Sequence, residues 1–544
     1  MGKLPIDSHS LIFDYIVVGT GPAGAVLAKT LSDDKKTSVL VLEAGENNDQ
    51  DRPIRDSSFA LQLEERFFPQ YFWQGEGVPQ EGLEGRTLEW TTGRLSGGGS
   101  SINGQQYVRP TSAVLREWER LAGPSWSPQQ GIKHFRSFEK FNGKTNNLDA
   151  RGFHGRVDIR QAPVDPPLVS QHFVSAIEQA TGFKEILDYN DPDTPLGPFT
   201  RWQLYQQPDG QRESSSTAYL SSDIMTRNGF GVNGRKLRVL YNSTALRVFF
   251  NQTRAGGVEF LREGKCLHAR ARKKVILSAG INSAQLLMLS GIGPAPLLRE
   301  AGIPVLFHNP NVGRNLHNHT LNSAVFTANP KVHISHFADP HAIFAGGAFL
   351  PDPTPGADPD RRGVQLIGSV FNGNLNIILI FLQPKSRGTI KIQNKDPLKI
   401  VLADEGFFED PADLQAVKNI YRVYIKQIAE KLRRIDKSYR LVSPTPDIIN
   451  NDMKLEKFIK KNFGHNHHHQ GSLRMAPLKE GGVVDGSGHV YGVSNLIVAD
   501  DSIIPFTVDG NTSAPAYLIG LTIAQQLMKP NIHRNWPKGT VFNE

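Results

Sequence analysis

The chain has 544 residues, 39% hydrophobic and 21% charged, with 51 Gly and 35 Pro, which marks a globular, loop-rich protein of two domains, or of one large domain carrying an insertion, and excludes a disordered or fibrous chain. Its 61 Lys and Arg against 53 Asp and Glu leave a net charge of +8, but the cations are scattered, with no basic stripe interleaved with aromatics, so no nucleic-acid partner is expected. The single cysteine, Cys266, rules out an intrachain disulfide and any multi-thiolate metal or iron–sulfur centre; no metal centre is expected at all, and with no secretory leader or membrane-length apolar run the expected compartment is the cytoplasm.

The first elements are legible as strand, tight turn and helix. In FDYIVVGTGPAGAVLAKTL an apolar run ends at Val18, then Gly19, Gly21 and Gly24 follow, then a helical pattern with Val26, Leu27 and Leu31 on one side. The spacing suits a pyrophosphate over a helix N-terminus: Gly19 for the turn, Gly21 for close approach and Gly24 for helix–strand packing. A second apolar strand, SVLVLEAG, ends at Glu43, 24 residues beyond Gly19. An acid at that strand tip binds a ribose diol and repels the 2′-phosphate of NADP, which leaves FAD or NAD. Next comes ERFFPQYFWQGEGVP, with Phe67, Phe68, Tyr71, Phe72 and Trp73. It reads either as a packed hydrophobic loop or as an aromatic lid, at about 61–80, for an apolar, aryl or sugar alcohol. GRLSGGGSSINGQQYVRP, Gly93 to Pro110, is a loop of small residues whose free amides suit a planar, oxygen-rich ligand.

With the glycine turn and Glu43, this loop resembles the first signature of the glucose-methanol-choline (GMC) oxidoreductases. SAGINSAQLLMLSGIG, Ser278 to Gly293, resembles the second, with Ala284 where proline is usual. RESSSTAYL, NVGRNLHNH, PKSRGTIKI and VVDGSGHVYGVSNLIVADDSIIP extend the likeness over nearly the whole chain. The resemblance implies an α/β fold, with a Rossmann-like FAD-binding domain and an antiparallel-sheet substrate domain. The nucleotide domain would take 10–160, 231–319 and 464–544, and the substrate domain 161–230 and 320–463. It also implies FAD contacts at Gly19, Gly21, Gly24, Glu43, Gly98, Ser100, Asn103, Ala245, Asp500 and Thr512. Covalent members attach FAD through a histidine where this chain has Ile102, so non-covalent FAD is expected.

NHHHQGSLRM, from Asn466, is on its own either a polar turn or a base. The family stretch H-x-x-G-[ST]-x-x-M, counted back from Gly471, selects His468, with His465, His467 and His469 left as loop or supporting residues. The second catalytic position falls on Asn511 in DGNTSAPAYLIG. Neutral His468 would take the hydroxyl proton, Asn511 would hold the alkoxide, and the hydride would pass to flavin N5. The helix after Asn511 is expected to carry hydroxyl caps at Thr512 and Ser513, its positive end favouring a reduced, anionic flavin. The expected partners are a small alcohol and O2 or another electron acceptor. A hydroxynitrile-lyase-type reaction and a silent flavin-binding protein are the alternatives.

Overall fold

A computed structural model describes residues 11–327, 339, 341–371 and 373–529; residue 10 of the first expected segment, 530–544 of the last and parts of 320–463 lie outside them. The fold is mixed α/β, built on two large sheets. In the first, the strand Ile12–Val18 lies between Val39–Leu42 and Lys265–Leu277, parallel to both, and Val39–Leu42 is flanked in turn by Leu237–Leu240. The last four residues of the first strand and all of Val39–Leu42 are buried, as expected of apolar runs that helices cover on both faces. Lys265–Leu277 is long enough to serve twice. Its early half pairs antiparallel with Arg254–Arg262, which pairs on with Ser243–Asn251, and its last three residues pair parallel with Leu496–Val498.

The helix Pro22–Leu31 follows the first strand, and its proline sits where a helix start tolerates a missing N–H. Against this layer lies the final helix, Ser513–Met528, buried along ten of its positions. Its Tyr517 ring is stacked at 5.0 Å on Phe138 and lies 5.9 and 6.0 Å from Tyr205 and Tyr219.

The second sheet is antiparallel, in the order Arg440–Ser443, Thr320–Thr327, Asn374–Phe381, Val364–Phe371, Gly347–Leu350, Gly197–Phe199. Thr320–Thr327 alternates buried and half-buried residues strictly, the mark of a sheet with one face on a core. Its other edge partner is the two-residue strand Gly464–His465, paired through Thr320↔His465 and Leu321↔Gly464. That short ladder brings the histidine-rich turn onto the second sheet, beside His319. Between the sheets, Arg362, at the head of Val364–Phe371, donates to the carbonyls of Arg109, Tyr189 and Pro195.

Candidate active site

Gly19 holds φ at +100°, and a Cβ on Gly24 would stand 2.2 Å from the Gly19 carbonyl oxygen. Only glycine fits either place, so turn and helix close tightly under the cavity floor. Gly24 therefore supports the turn from behind and does not face the cavity, whereas Gly19, Gly21, Glu43, Gly98, Ser100, Asn103, Ala245, Asp500, Asn511, Thr512 and His468 all line a single cavity of about 570 Å³. Glu43 accepts from the Thr20 amide and hydroxyl at 3.0 and 2.5 Å and from the Gly45 amide at 2.9 Å. Burial still pushes its carboxyl upward.

Several expected contact residues have their side chains committed to the protein. Asp500 takes four donors: the Gly280 amide at 3.0 Å, the Ser283 hydroxyl at 2.6 Å, and the Ser502 amide and hydroxyl at 2.9 and 2.5 Å. It ties the Ser278 loop to the final turn. Asn103 Nδ2 donates to Ser513 Oγ at 2.9 Å, and its Oδ1 accepts from Arg212 at 2.9 Å. Ser100 donates to Gly97 O at 2.6 Å and accepts from the Ser215 amide at 3.0 Å. The buried Arg212 also reaches Ile54 O, Ser100 O and Asn103 O at 3.0, 3.3 and 2.8 Å, so RESSSTAYL is the brace of the glycine loop.

Thr512 does not cap the last helix, contrary to the expectation from its hydroxyl; no side chain does. Its hydroxyl is drawn to Asp501. The first amides of that helix are thus left uncapped at the cavity wall, a place that favours negative charge. Ser278 Oγ and Asp501 Oδ1, on the same wall, are buried without hydrogen-bond partners. A glycine cradle, a ribose-reading acid, uncapped amides and orphaned polar atoms are together the donor and acceptor set a dinucleotide needs.

At the other end, His468 Nδ1 lies 2.8 Å from His319 Nδ1, and His319 Nε2 lies 2.7 Å from the carbonyl of Val508. A carbonyl only accepts, so His319 Nε2 carries a proton. Burial depresses His319 to about 4, which keeps it neutral and leaves its Nδ1 bare. The proton between the two rings therefore belongs to His468 Nδ1, and His468 Nε2 presents a lone pair. Asn466 Nδ2 also lies 3.2 Å from His468 Nδ1; with the proton on Nδ1, that carboxamide has to be flipped so that its oxygen faces the ring. Burial, and then the four surrounding imidazoles, hold His468 well below the ordinary histidine range, so it is neutral at neutral pH.

Asn511 Nδ2 lies 3.5 Å from His468 Nε2. Gln365 donates to Asn511 Oδ1 at 3.1 Å, and Asn511 donates to Gln106 Oε1 at 3.0 Å. The carboxamide is thus held at both ends, with one N–H left over beside the imidazole. His319, Gln106 and Gln365 were not among the residues expected from sequence. His319 is the last residue of NVGRNLHNH, but no periodicity marks it as the partner of a turn about 150 residues later.

Two family models described as GMC oxidoreductase match residues 13–321 and 384–520. The chain belongs to the GMC oxidoreductase family. It is an FAD-dependent oxidoreductase acting on CH–OH donors. An uncharacterised GMC-type oxidoreductase of Mycobacterium tuberculosis is 31% identical over 539 residues, covering 93% of this chain and 97% of its own. An oxygen-dependent choline dehydrogenase of Sinorhizobium fredii is 28% identical over 548 residues, covering 95% of each. The crystal structure of pyridoxine 4-oxidase from Mesorbium loti superposes with a TM-score of 0.83 at 24% identity, over 95% of this chain and 100% of that one. Formate oxidase superposes at 0.84 and 21%, over 95% and 98%. Both likenesses concern the fold.

The aromatic segment is divided between the cavity wall and packing. Phe72 and Trp73 line the cavity within a strand, Phe72–Gly75, paired with Trp90–Gly93. Tyr71 is buried, stacked on Phe68 at 5.9 Å, while Phe67 is 62% exposed. Among the described residues no helix is long and apolar enough to cross a membrane.

Proposed function

We propose that this GMC oxidoreductase oxidises an alcohol with an apolar body, His468 taking the hydroxyl proton on Nε2 and Asn511 holding the developing alkoxide. The observation that carries this reading is the 3.5 Å separation of His468 Nε2 and Asn511 Nδ2. One oxygen at about 3 Å can touch both, donating its proton to the first and accepting from the second. FAD, when bound, supplies the hydride acceptor and hands the electrons to O2 or another oxidant. His319 fixes the ring of His468 and its tautomer, and Gln365 and Gln106 fix the carboxamide.

The substrate class follows from the sheet face opposite. The register pairs Ile367 with Ile378 and Ile378 with Ser323, which puts Ile367, Ile378 and Leu321 on the face that carries Gln365. These three and Phe344 line the cavity. The acids on its wall are Glu43, Asp500 and Asp501 at the dinucleotide end and Glu64 and Glu65 on the lid segment. This apolar face favours an alcohol with an apolar body over the quaternary ammonium alcohol of the choline-oxidising relative.

Under anaerobic stopped flow, aryl and aliphatic alcohols are expected to bleach the flavin faster than choline. His468→Ala is expected to slow that bleaching by at least ~10² at unchanged flavin content. Wild-type rates in the variant would place the base elsewhere, and substrate consumption without bleaching would assign lyase chemistry. Attachment of FAD is the second point. Ile102 packs on the apolar cluster of Ile54, Leu63, Tyr71, Phe72 and Leu95 and offers no nucleophile. Acid precipitation should leave a white pellet under a yellow supernatant; a yellow pellet would overturn non-covalent binding.

A further inference from the structure

We infer that Glu405, His465 and His469 form a binding site for one divalent transition-metal ion of the zinc type, adjoining the alcohol site, whose cavity His469 also lines. One ligand atom from each of the three lies within 4.8 Å of the other two. His469 and Glu405 are nearly inaccessible, their side chains 6% and 4% exposed, and His469 Nε2 stands 3.0 Å from Glu405 Oε1. Neither Glu405 oxygen, nor His469 Nε2, nor the neighbouring Asn318 Nδ2 makes a well-aligned hydrogen bond, although His469 and Asn318 both stand near enough to Glu405 to hold its carboxyl below the ordinary value. At 3.0 Å a misaligned contact means that the lone pairs of the two atoms aim beside one another and not along the line between them. Two ligands at ~2.0–2.2 Å on a tetrahedral ion stand ~3.3–3.6 Å apart, so this pair has to open by a few tenths of an ångström to admit the metal.

His465 supplies a third, independent sign. Its Nε2 is 2.8 Å from the carbonyl of Glu89 and so carries the proton, leaving Nδ1 with only the His467 amide at 3.4 Å. An imidazole whose far nitrogen donates to a backbone carbonyl is oriented as metal ligands are. His467 holds φ at +53°, a backbone that lets the turn bring residues 465 and 469 to the same side. Two imidazoles and a carboxylate suit zinc or its neighbours, not calcium or magnesium. The tetrahedron leaves one position for water.

The ion would join three stretches of chain: the strand Gly464–His465, the turn carrying His468, and Glu405 just past the strand Leu402–Asp404. Asn318 lies in the same cluster and accepts from the His468 amide at 2.9 Å. The alternative is a bare His469–Glu405 ion pair that needs no metal.

The test uses untagged holoenzyme, stripped with chelator, equilibrated with Zn2+ and passed through gel filtration. About one zinc per chain should be retained, and the thermal midpoint should rise with Zn2+ and fall again with chelator. In Glu405→Gln/His469→Gln retention should drop at least ~10-fold. If that variant does not fold, zinc-edge X-ray absorption of the wild type decides, with an all-nitrogen-and-oxygen shell at ~2.0–2.2 Å showing imidazole scattering expected. No retained zinc, equal retention in a folded variant, or a shell without imidazole would overturn the site.

Discussion

Asn511 shows how much of the chemistry rests on the orientation of single side chains. An isolated carboxamide is indifferent to a half-turn, but with Gln365 on its oxygen and Gln106 on one N–H only the other N–H is free to meet an alkoxide. Asn511→Ala is therefore expected to lower kcat by about 10²–10³, the usual cost of removing a donor from a developing oxyanion, with the flavin spectrum retained. A change in KM alone, at constant kcat, would contradict that role. The family resemblance pointed to positions 468 and 511, and the structure brings their side chains within 3.5 Å of each other. The residues that make those two work were not legible in the sequence. His319 meets His468 through an edge pairing of two residues, Thr320↔His465 and Leu321↔Gly464, too short to leave a pattern. Gln365 is a polar residue in a mostly apolar strand and Gln106 sits in a polar loop, so both look like surface positions.

At the scale of elements, the glycine turn and the Rossmann-like strand and helix could be read directly, because each needs a particular residue type at a particular place. The hydroxyl caps expected at the last helix were read by the same logic and were wrong. Thr512 is engaged by Asp501, and tertiary demand took precedence over the local rule. The glycine loop Gly93 to Pro110 has no regular element to stiffen it beyond a short turn, Gly98–Ser101. Besides bonds of its own such as Ser100 to Gly97 O, it is held from outside by Arg212 and Ser215. Arg212→Ala should loosen the loop and weaken FAD retention about 10-fold or more, since a buried guanidinium holding three backbone carbonyls is removed. Equilibrium dialysis of FAD against the apoprotein measures this, and unchanged affinity would show that the loop orders itself.

For the molecule as a whole, the buried titrating groups shape stability against pH. Glu213 is pushed up to about 8, chiefly by burial, from an unfolded value of 4.5. A raised folded value means stability that is complete below pH 4.5 and is lost progressively as pH rises towards 8, at about 1.4 kcal/mol per pH unit. Asp49, raised to about 6 by burial, adds to the same slope. On the acid side His134, depressed to about 4 by burial, works the other way: stability present above 6.5 is lost as pH falls to 4. Glu213→Gln keeps the shape of the protonated acid and should gain about 2–3 kcal/mol on the wild type between pH 5 and pH 7 in urea unfolding. Parallel curves for the two proteins would remove Glu213 from the account.

The hydrogen-bonded pair of imidazoles terminates on Val508, and a peptide oxygen is no proton sink. Whatever charge His468 gathers therefore has nowhere to travel inwards. Under the proposed mechanism a proton taken by His468 leaves from Nε2 on the cavity side, the side by which the alcohol arrives.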